Sequence, residues 1–303
     1  MILSDRKLGR LTKKEIKDFY LYISPWLIGL IVFNLGPILA SLVLSFTEWD
    51  ILSPLRFTGI QNYLSCFFED PLFRKSLWVT VYYVLSVPLR VLFGLLVALL
   101  LNQKIKAVAL FRTIYYLPSV ISGVAVALLW LWVFNPEFGL LNYLLWKFFH
   151  MNGPAWLFDE RWVIPSFIIM SLWGVGGNMV IYLAALQGVP TSLYEAAEID
   201  GANSWIKFWK ITIPMISPAI LFNLVMATIN SFQIFTPGFI MTNGGPNNAS
   251  LFYVLYLYRN AFQYFKMGYA STLAWILFVI IFICTLLIFK SSSRWVFYSG
   301  EAR

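Results

Sequence analysis

Six long apolar segments constrain the fold of this chain more than any other feature. Each is long enough to cross the hydrocarbon core of a bilayer, which takes about 20 residues of helix. Only 12% of the residues are charged, roughly half the share found in ordinary soluble domains. The sequence therefore predicts an all-α integral membrane protein with six transmembrane helices, near residues 20–46, 77–101, 108–134, 162–186, 215–237 and 270–290.

Lysine and arginine are distributed unequally between the two sides that these spans define. The N-terminal tail, residues 102–113 and 187–214 and the C-terminal end carry fourteen of them, against seven in the other loops. Because cytoplasmic loops are enriched in Lys and Arg, we expect both termini and the 187–214 segment in the cytoplasm. These flanks account for the net charge of +8 without nucleic-acid binding. The predicted divisions are a basic tail (1–19), a membrane domain (20–290) and a C-terminal tail (291–303).

The predicted spans lack the groups that drive or catalyse reactions within membranes. All fourteen Asp and Glu residues fall outside them, which disfavours a proton- or sodium-coupled secondary transporter. The chain has no G-x-x-x-x-G-K-[ST] phosphate loop and no H-E-x-x-H motif. No catalytic residue and no metal site are predicted, and any uphill transport needs energy from another chain. A non-transporting membrane scaffold remains a further alternative.

One cytoplasmic stretch, YEAAEIDGANSWIKFWKITIP (194–214), is charged and compact. Its pattern predicts two short helices around a turn. Ser192 can cap the first helix, and Glu195 three residues later would complete a capping box. Gly201 supplies the permissive backbone for the reversal. The second helix is expected to begin near Asn203 and to stop before Pro214.

Three aromatic residues of the second helix share one face, because Trp205, Phe208 and Trp209 follow i, i+3, i+4 spacing. One interpretation is that this face lies on the protein's own core or at the lipid headgroups. The other is that it fits a groove on a cytoplasmic partner. The residues alone leave both interpretations open.

This stretch resembles the EAA signature of permease subunits in binding-protein-dependent ABC importers. The flanking segments ALFRTIYYLP, SLWGVGGNMVIYLAALQGVP and MTNGGPNNAS are similar to those of the carbohydrate-uptake branch, of the maltose and glycerol-3-phosphate types. The likeness covers a core of 77–290 and the first span, and Arg90 departs from it. The matching residues are Glu195, Ala196, Ala197, Asp200, Gly201, Ala202, Phe208, Ile211, Pro214 and Pro218.

The resemblance implies a role and a set of partners. The hairpin would be the coupling element that docks on an ATPase subunit, through Glu195, Ala196, Ala197, Asp200, Gly201, Ala202, Phe208 and Pro214. The partners would be a second permease subunit forming a heterodimer, two ATPase subunits that bind ATP and Mg²⁺, and an external solute-binding protein. The chain itself would hold no cofactor, lie in a bacterial or archaeal inner membrane, and carry a sugar or oligosaccharide. Glycerol-3-phosphate or another sugar derivative is the alternative substrate.

Polar residues within the spans are candidates for the translocation path. Asn223, Asn230 and Gln233 fall on one broad face of the fifth span, and Asn178 lies in the fourth. They could equally be hydrogen-bonding links between helices. We expect the neighbouring Gly174 and Gly177 to mark close helix packing.

Arg90 is the only charged residue deep in a predicted span. Placing an arginine at the centre of a lipid-facing helix costs about 2.5–3.5 kcal/mol. Arg90 should therefore point at the bundle interior or a water-filled cavity, where either helix carbonyls or an anionic substrate would receive it.

Overall fold

The computed structural model describes residues 10–103 and 106–298. The predicted tails (1–19 and 291–303) therefore lie partly outside the described residues. The helices are α1 (Arg10–Leu30), α2 (Gly36–Leu44), α3 (Gln61–Leu64), α4 (Pro71–Val84), α5 (Val87–Leu101), α6 (Val108–Val120), α7 (Gly123–Val133), α8 (Leu140–Phe149), α9 (Val163–Trp173), α10 (Gly176–Gln187), α11 (Thr191–Ile199), α12 (Ser204–Lys207), α13 (Ile213–Phe232), α14 (Tyr253–Tyr258) and α15 (Met267–Ser292).

Short irregular elements join these helices. One 3₁₀ turn covers Trp156–Phe158. Two strands of two residues each, β1 (Thr47–Glu48) and β2 (Arg56–Phe57), pair antiparallel with Thr47 opposite Phe57. The described chain is thus mostly helical, and this small ribbon departs from the all-α prediction. Turns of π-helix lie at Ile31–Leu35, Ser65–Glu69, Phe208–Thr212, Gly238–Thr242 and Arg259–Gln263.

Four stretches of the described chain are helices long and apolar enough to cross a membrane. Two further stretches are pairs of helices, α6 with α7 and α9 with α10, bent by 104° and 45°. The described chain therefore has four spans, or up to six if each bent pair counts as one. The four continuous spans are Lys14–Leu44, Pro71–Leu101, Ser204–Phe232 and Met267–Ser292.

The predicted third span (108–134) is not one continuous helix. The chain breaks at Ile121 and Ser122, whose ψ angles of 140° and 135° are those of extended backbone. Pro118 lies in the last turn of α6 and cannot donate a hydrogen bond to the preceding turn. The helix is therefore weakened just before the break.

The fifth span begins earlier than predicted. The helix that starts at Ser204 does not stop before Pro214 but continues to Phe232 as one 29-residue element. A π turn precedes the proline, with the Ile213 N–H bonded to the Phe208 carbonyl. This wider turn shifts the hydrogen-bond register, so the helix passes a residue that has no N–H of its own.

The chain divides into two compact units, and residues up to Leu64 form the first together with Asn260–Trp275. Within it the Asn62 amide donates to the carbonyls of Ser45 (3.1 Å) and Thr47 (2.8 Å). The Thr272 hydroxyl also donates to the Ser45 carbonyl, at 2.9 Å. These bonds hold the end of α2 to the start of α15.

The second unit, Ser65–Arg259 with Ile276 onwards, contains the main core. Helix α5 packs against α10 and α13. Its buried residues recur along one face, as expected for a helix that is covered on one side only. The core between these three helices includes Val91, Leu95, Ala98, Leu101, Met179, Tyr182, Leu183 and Ile216.

The segment after α15 folds back onto α13. Val296 is buried and packs against Leu221 and Val225. The N–H of Phe297 donates to the Ser217 hydroxyl at 2.8 Å, and that hydroxyl donates to the Pro214 carbonyl at 2.6 Å. Because Pro218 has no N–H to offer this carbonyl, Ser217 replaces the missing helix bond.

Candidate functional site

The predicted reversal at Gly201 is present in the structure. Gly201 has a φ of +78°, in the left-handed region that favours glycine. The N–H of Gly201 bonds to the Glu198 carbonyl at 3.0 Å, and the N–H of Ala202 bonds to the Ala197 carbonyl at 2.8 Å. This pair of bonds closes α11 as a Schellman motif, so the turn between the two helices of the hairpin is well defined.

The predicted capping box at the start of α11 is not formed. Pro190 occupies the cap position, the helix begins at Thr191, and no side chain caps it. Ser192 therefore lies inside the first turn, and Glu195 is exposed rather than bonded back to the cap. The structural explanation for Glu195 is thereby removed, and its carboxylate is available to another molecule.

Two side-chain bonds fasten α11 to the helix that follows it. The Lys207 ammonium lies 2.6 Å from a carboxylate oxygen of Glu198, and this hydrogen bond and charge lower the pKa of the Glu198 carboxyl. The hydroxyls of Tyr194 and Thr212 are 2.9 Å apart. Thr212 is buried, so the second bond ties α11 to the base of the fifth span. The two bonds thus link α11 to the helix that continues into α13.

The aromatic face of the hairpin is uncovered in this chain. Trp205 and Trp209 contact each other edge to face with ring centroids 5.7 Å apart, and Phe208 lies beside both. The two tryptophans are 69% and 50% exposed. The described residues therefore leave most of this face free for lipid or for a partner, which the sequence could not decide.

The predicted polar face of the fifth span has a buried part and an exposed part. Asn223 is only 1% exposed, and its buried amide nitrogen faces the buried hydroxyl of Tyr182, with neither group bonded to any other described residue. Asn230 and Gln233 are exposed. Amides facing lipid at membrane depth would be costly. These two side chains therefore fit a surface that faces protein or a water-filled path.

Asn178 belongs to a packed interface. Its Cβ lies close to Gly94, where a side-chain carbon added to the glycine would be at contact distance (3.4 Å). The expected close packing at Gly174 and Gly177 is wrong, since a Cβ at Gly177 would meet nothing within 4 Å. The close approach occurs instead at Gly176, where a Cβ would lie 2.4 Å from the Tyr115 carbonyl oxygen of α6.

Arg90 lies in the first turns of α5 and reaches α13. Its terminal nitrogen Nη2 donates to the Ser231 hydroxyl at 2.5 Å, and its guanidinium carbon lies 4.8 Å from the centre of the Tyr83 ring. The Nε atom is buried and has no partner among the described residues. The structure thus places Arg90 against protein, but with neutral partners.

Sequence reasoning missed Ser231, Tyr83, Tyr194 and Thr212. Ser231 and Tyr83 contact Arg90, and Tyr194 and Thr212 fasten the hairpin. Nothing in the local pattern marks a serine beside Asn230 as the partner of an arginine 141 positions away. Tyr194 opens the EAA stretch, so its position next to the signature was the one available signal.

Comparisons with known proteins agree with this arrangement. Residues 90–297 match the family described as binding-protein-dependent transport system inner membrane component. The protein named probable ABC transporter permease protein YesP, of Bacillus subtilis, is 42% identical over 97% of this chain and 96% of its own. The lactose transport system permease protein LacF of Rhizobium radiobacter is 36% identical over 93% of this chain and 97% of its own.

A solved structure has the same fold. It belongs to a bacterial ABC transporter involved in the import of the acidic polysaccharide alginate. It superposes with a TM-score of 0.80 at 25% identity, over 94% of this chain and 99% of the other.

Proposed function

Since this chain belongs to the family of binding-protein-dependent transport system inner membrane components, we propose that it is the permease subunit through which an ATP-driven importer moves a sugar or oligosaccharide. The relatives support this substrate class: one is named for lactose and a structural neighbour imports alginate. The chain is a transport subunit rather than an enzyme, and ATP is hydrolysed by separate subunits.

The observation that carries this proposal is the fastening of the exposed hairpin to a continuous fifth span. Helix runs from Ser204 to Phe232 over 29 residues, roughly 40 Å at about 1.5 Å per residue. Its cytoplasmic end carries the uncovered aromatic face, and the exposed Glu195 lies on α11, which is bonded to this end through Tyr194 and Thr212. Its other end carries Asn230 and Gln233. A partner that pulls on the hairpin therefore moves the polar end of the same helix.

This geometry supports a coupling mechanism. ATPase subunits bind α11 and the aromatic face. When ATP binding closes the two ATPase subunits against each other, they shift the hairpin as a rigid body. The Glu198–Lys207 and Tyr194–Thr212 bonds pass the shift to α13. The path then opens outward, receives the sugar from an external binding protein, and presents the amides of Asn230 and Gln233 to the sugar hydroxyls.

Uncovered apolar surface supports the second permease subunit, and the distribution of Lys and Arg supports the orientation in the membrane. No residue in the most apolar part of Lys14–Leu44 is buried within this chain, which fits a second permease subunit packed against it. The Lys and Arg distribution places both termini and the hairpin in the cytoplasm, and the loops at 47–76, 135–161 and 238–269 outside. ATP and Mg²⁺ belong to the ATPase subunits, and the membrane is the bacterial or archaeal inner membrane.

Uptake of labelled oligosaccharides by cells that express the importer tests the proposal. ATP depletion with the proton gradient maintained should abolish uptake, whereas continued uptake would identify a secondary transporter. Glu195→Lys should permit insertion and ATP hydrolysis but reduce uptake, because it reverses the charge offered to the ATPase. Unchanged uptake after deletion of this chain would instead indicate a non-transporting scaffold.

A further inference from the structure

Arg90 carries a charge that the described chain does not neutralise. It lies eleven residues before the end of α5 at Leu101, about 16 Å along the helix. Among the side chains that the structure describes, Arg90 forms no ion pair, and its contacts are the Ser231 hydroxyl and the Tyr83 ring. No carboxylate of the described chain therefore balances the guanidinium.

The neutral contacts of Arg90 use few of its hydrogen-bond donors. A guanidinium has five N–H donors, and the structure assigns one bond, from Nη2 to the Ser231 hydroxyl. That hydroxyl also bonds to the Ala227 carbonyl of its own helix. The Tyr83 ring covers the guanidinium 4.8 Å from its centre. These contacts orient the group and leave Nε buried without a partner.

The bond to Ser231 places Arg90 at the end of α13 that carries the candidate path residues. Ser231 follows Asn230 directly and precedes Gln233 by two residues, and both of these amides are exposed. Arg90 is itself partly exposed. A planar guanidinium with unused donors matches an acid group attached to a sugar.

We propose that Arg90 selects an acidic saccharide by binding its anionic group, with Ser231 and Tyr83 as positioning residues. This inference rests on the proposed function and names the substrate class within it. A charge-assisted pair with a carboxylate is roughly twice as strong as a neutral hydrogen bond. Binding would also neutralise a charge that the described residues leave without a carboxylate.

Thiol labelling of the assembled importer tests the local charge. Gln233→Cys is introduced into a chain carrying Cys66→Ala and Cys284→Ala, and labelled in membranes with a sulfonate-bearing or an ammonium-bearing methanethiosulfonate. The anionic reagent should react about tenfold faster, relative to the cationic one, when Arg90 is present than in Arg90→Gln. Arg90→Lys should keep most of this preference. An unchanged preference in Arg90→Gln contradicts the inference.

Ser231→Ala separates recognition from a purely structural role. This substitution removes the hydroxyl that accepts the Arg90 hydrogen bond and keeps the guanidinium, so the preference for the anionic reagent should remain. If Arg90 only links α5 to α13, Ser231→Ala and Arg90→Gln should reduce the yield of assembled importer equally, with no reagent preferred in any variant. That result would overturn the inference even where Arg90→Gln fails to assemble.

The substrate class is tested with trigalacturonate and its methyl ester, in which methylation of the carboxyl groups removes the charge. The acid should protect Gln233→Cys from labelling at least tenfold better than the ester, and Arg90→Gln should remove the difference. Equal protection, or protection by neither, contradicts the inference. If acidic and neutral saccharides are taken up equally well, the inference about Arg90 is refuted and the proposed function is not. Loss of all ATP-dependent saccharide uptake, with the reagent preference intact, refutes the proposed function instead.

Discussion

The hydroxyl of Tyr194 in α11 lies 2.9 Å from the hydroxyl of Thr212, at the base of the fifth span. Tyr194 also packs against the core formed by α5, α10 and α13. A single side chain thus joins the hairpin to the core of the membrane domain. The first prediction concerns this bond.

Tyr194→Phe should weaken coupling while the fold is retained. The ring still packs, but the hydrogen bond is lost, which costs about 1 kcal/mol. Uptake per ATP hydrolysed should fall about fivefold in reconstituted importer, with expression unchanged. Thr212→Val should have the same effect, and the double variant should be no worse than either single one. Additive losses would show that the two hydroxyls act independently.

The uptake retained by variants at Gly201 should depend on how well the new residue tolerates the φ of +78° at this position. Gly201→Asn should retain most uptake, because asparagine enters the left-handed region readily. Gly201→Ala should cost about 1–2 kcal/mol. Gly201→Pro should abolish coupling, because its φ is fixed near −65° and it removes the N–H bonded to Glu198. Equal uptake in all three variants would exclude a role for the turn geometry.

The Glu198–Lys207 bond should make the hairpin sensitive to acid. Lys207 lowers the folded-state pKa of Glu198, so the bond stabilises the hairpin above the unfolded-state pKa and is lost as pH falls through the folded one. Hydrogen exchange of hairpin amides should be slower in the wild type than in Glu198→Gln at pH 7. The difference should vanish at strongly acidic pH. A difference that persists there would assign it to something other than this carboxylate.

Gly176→Ala should disturb the membrane domain, and Gly177→Ala should not. The added carbon at position 176 would lie 2.4 Å from the Tyr115 carbonyl oxygen, whereas at position 177 it would meet nothing within 4 Å. Overpacking of this kind costs typically about 1–3 kcal/mol. The melting temperature in detergent should therefore drop only for Gly176→Ala. Equal melting temperatures would mean that α6 and α10 are not held this closely.

Cysteines at Asn230 and Gln233 should react with hydrophilic thiol reagents in assembled importer, and transported saccharide should slow the reaction. Cysteine at Asn223, which is 1% exposed, is the control and should stay unlabelled. Inertness of all three positions in every nucleotide state would favour hydrogen-bonded helix links over a path.

The parts of this fold that the sequence predicted are those governed by local rules. The reversal needs a residue that tolerates positive φ, so Gly201 could be identified in advance. The shared face of Trp205, Phe208 and Trp209 follows from helix periodicity alone. The apolar spans were found by composition, but hydropathy carries no information on direction, so the break at Ile121 was missed.

Features that depend on tertiary contacts could not be predicted. The π turn before Pro214 changes the hydrogen-bond register, whereas the rule that proline ends a helix assumes a regular one. The capping box at Ser192 was a valid local alternative, and the chain instead begins the helix after Pro190. Pairing of Arg90 with Ser231 requires two helices to meet, which no local pattern specifies.

The segment that folds back onto α13 is synthesised after the spans that the structure describes. Until the ribosome reaches Val296, the Leu221 and Val225 side chains lack one of their packing partners, and the Ser217 hydroxyl lacks the Phe297 N–H. The base of the fifth span, where the hairpin joins it, is therefore completed only after α15 has been synthesised. A reporter or affinity tag that replaced residues from Val296 onwards would leave that joint unfinished even if every span inserted correctly.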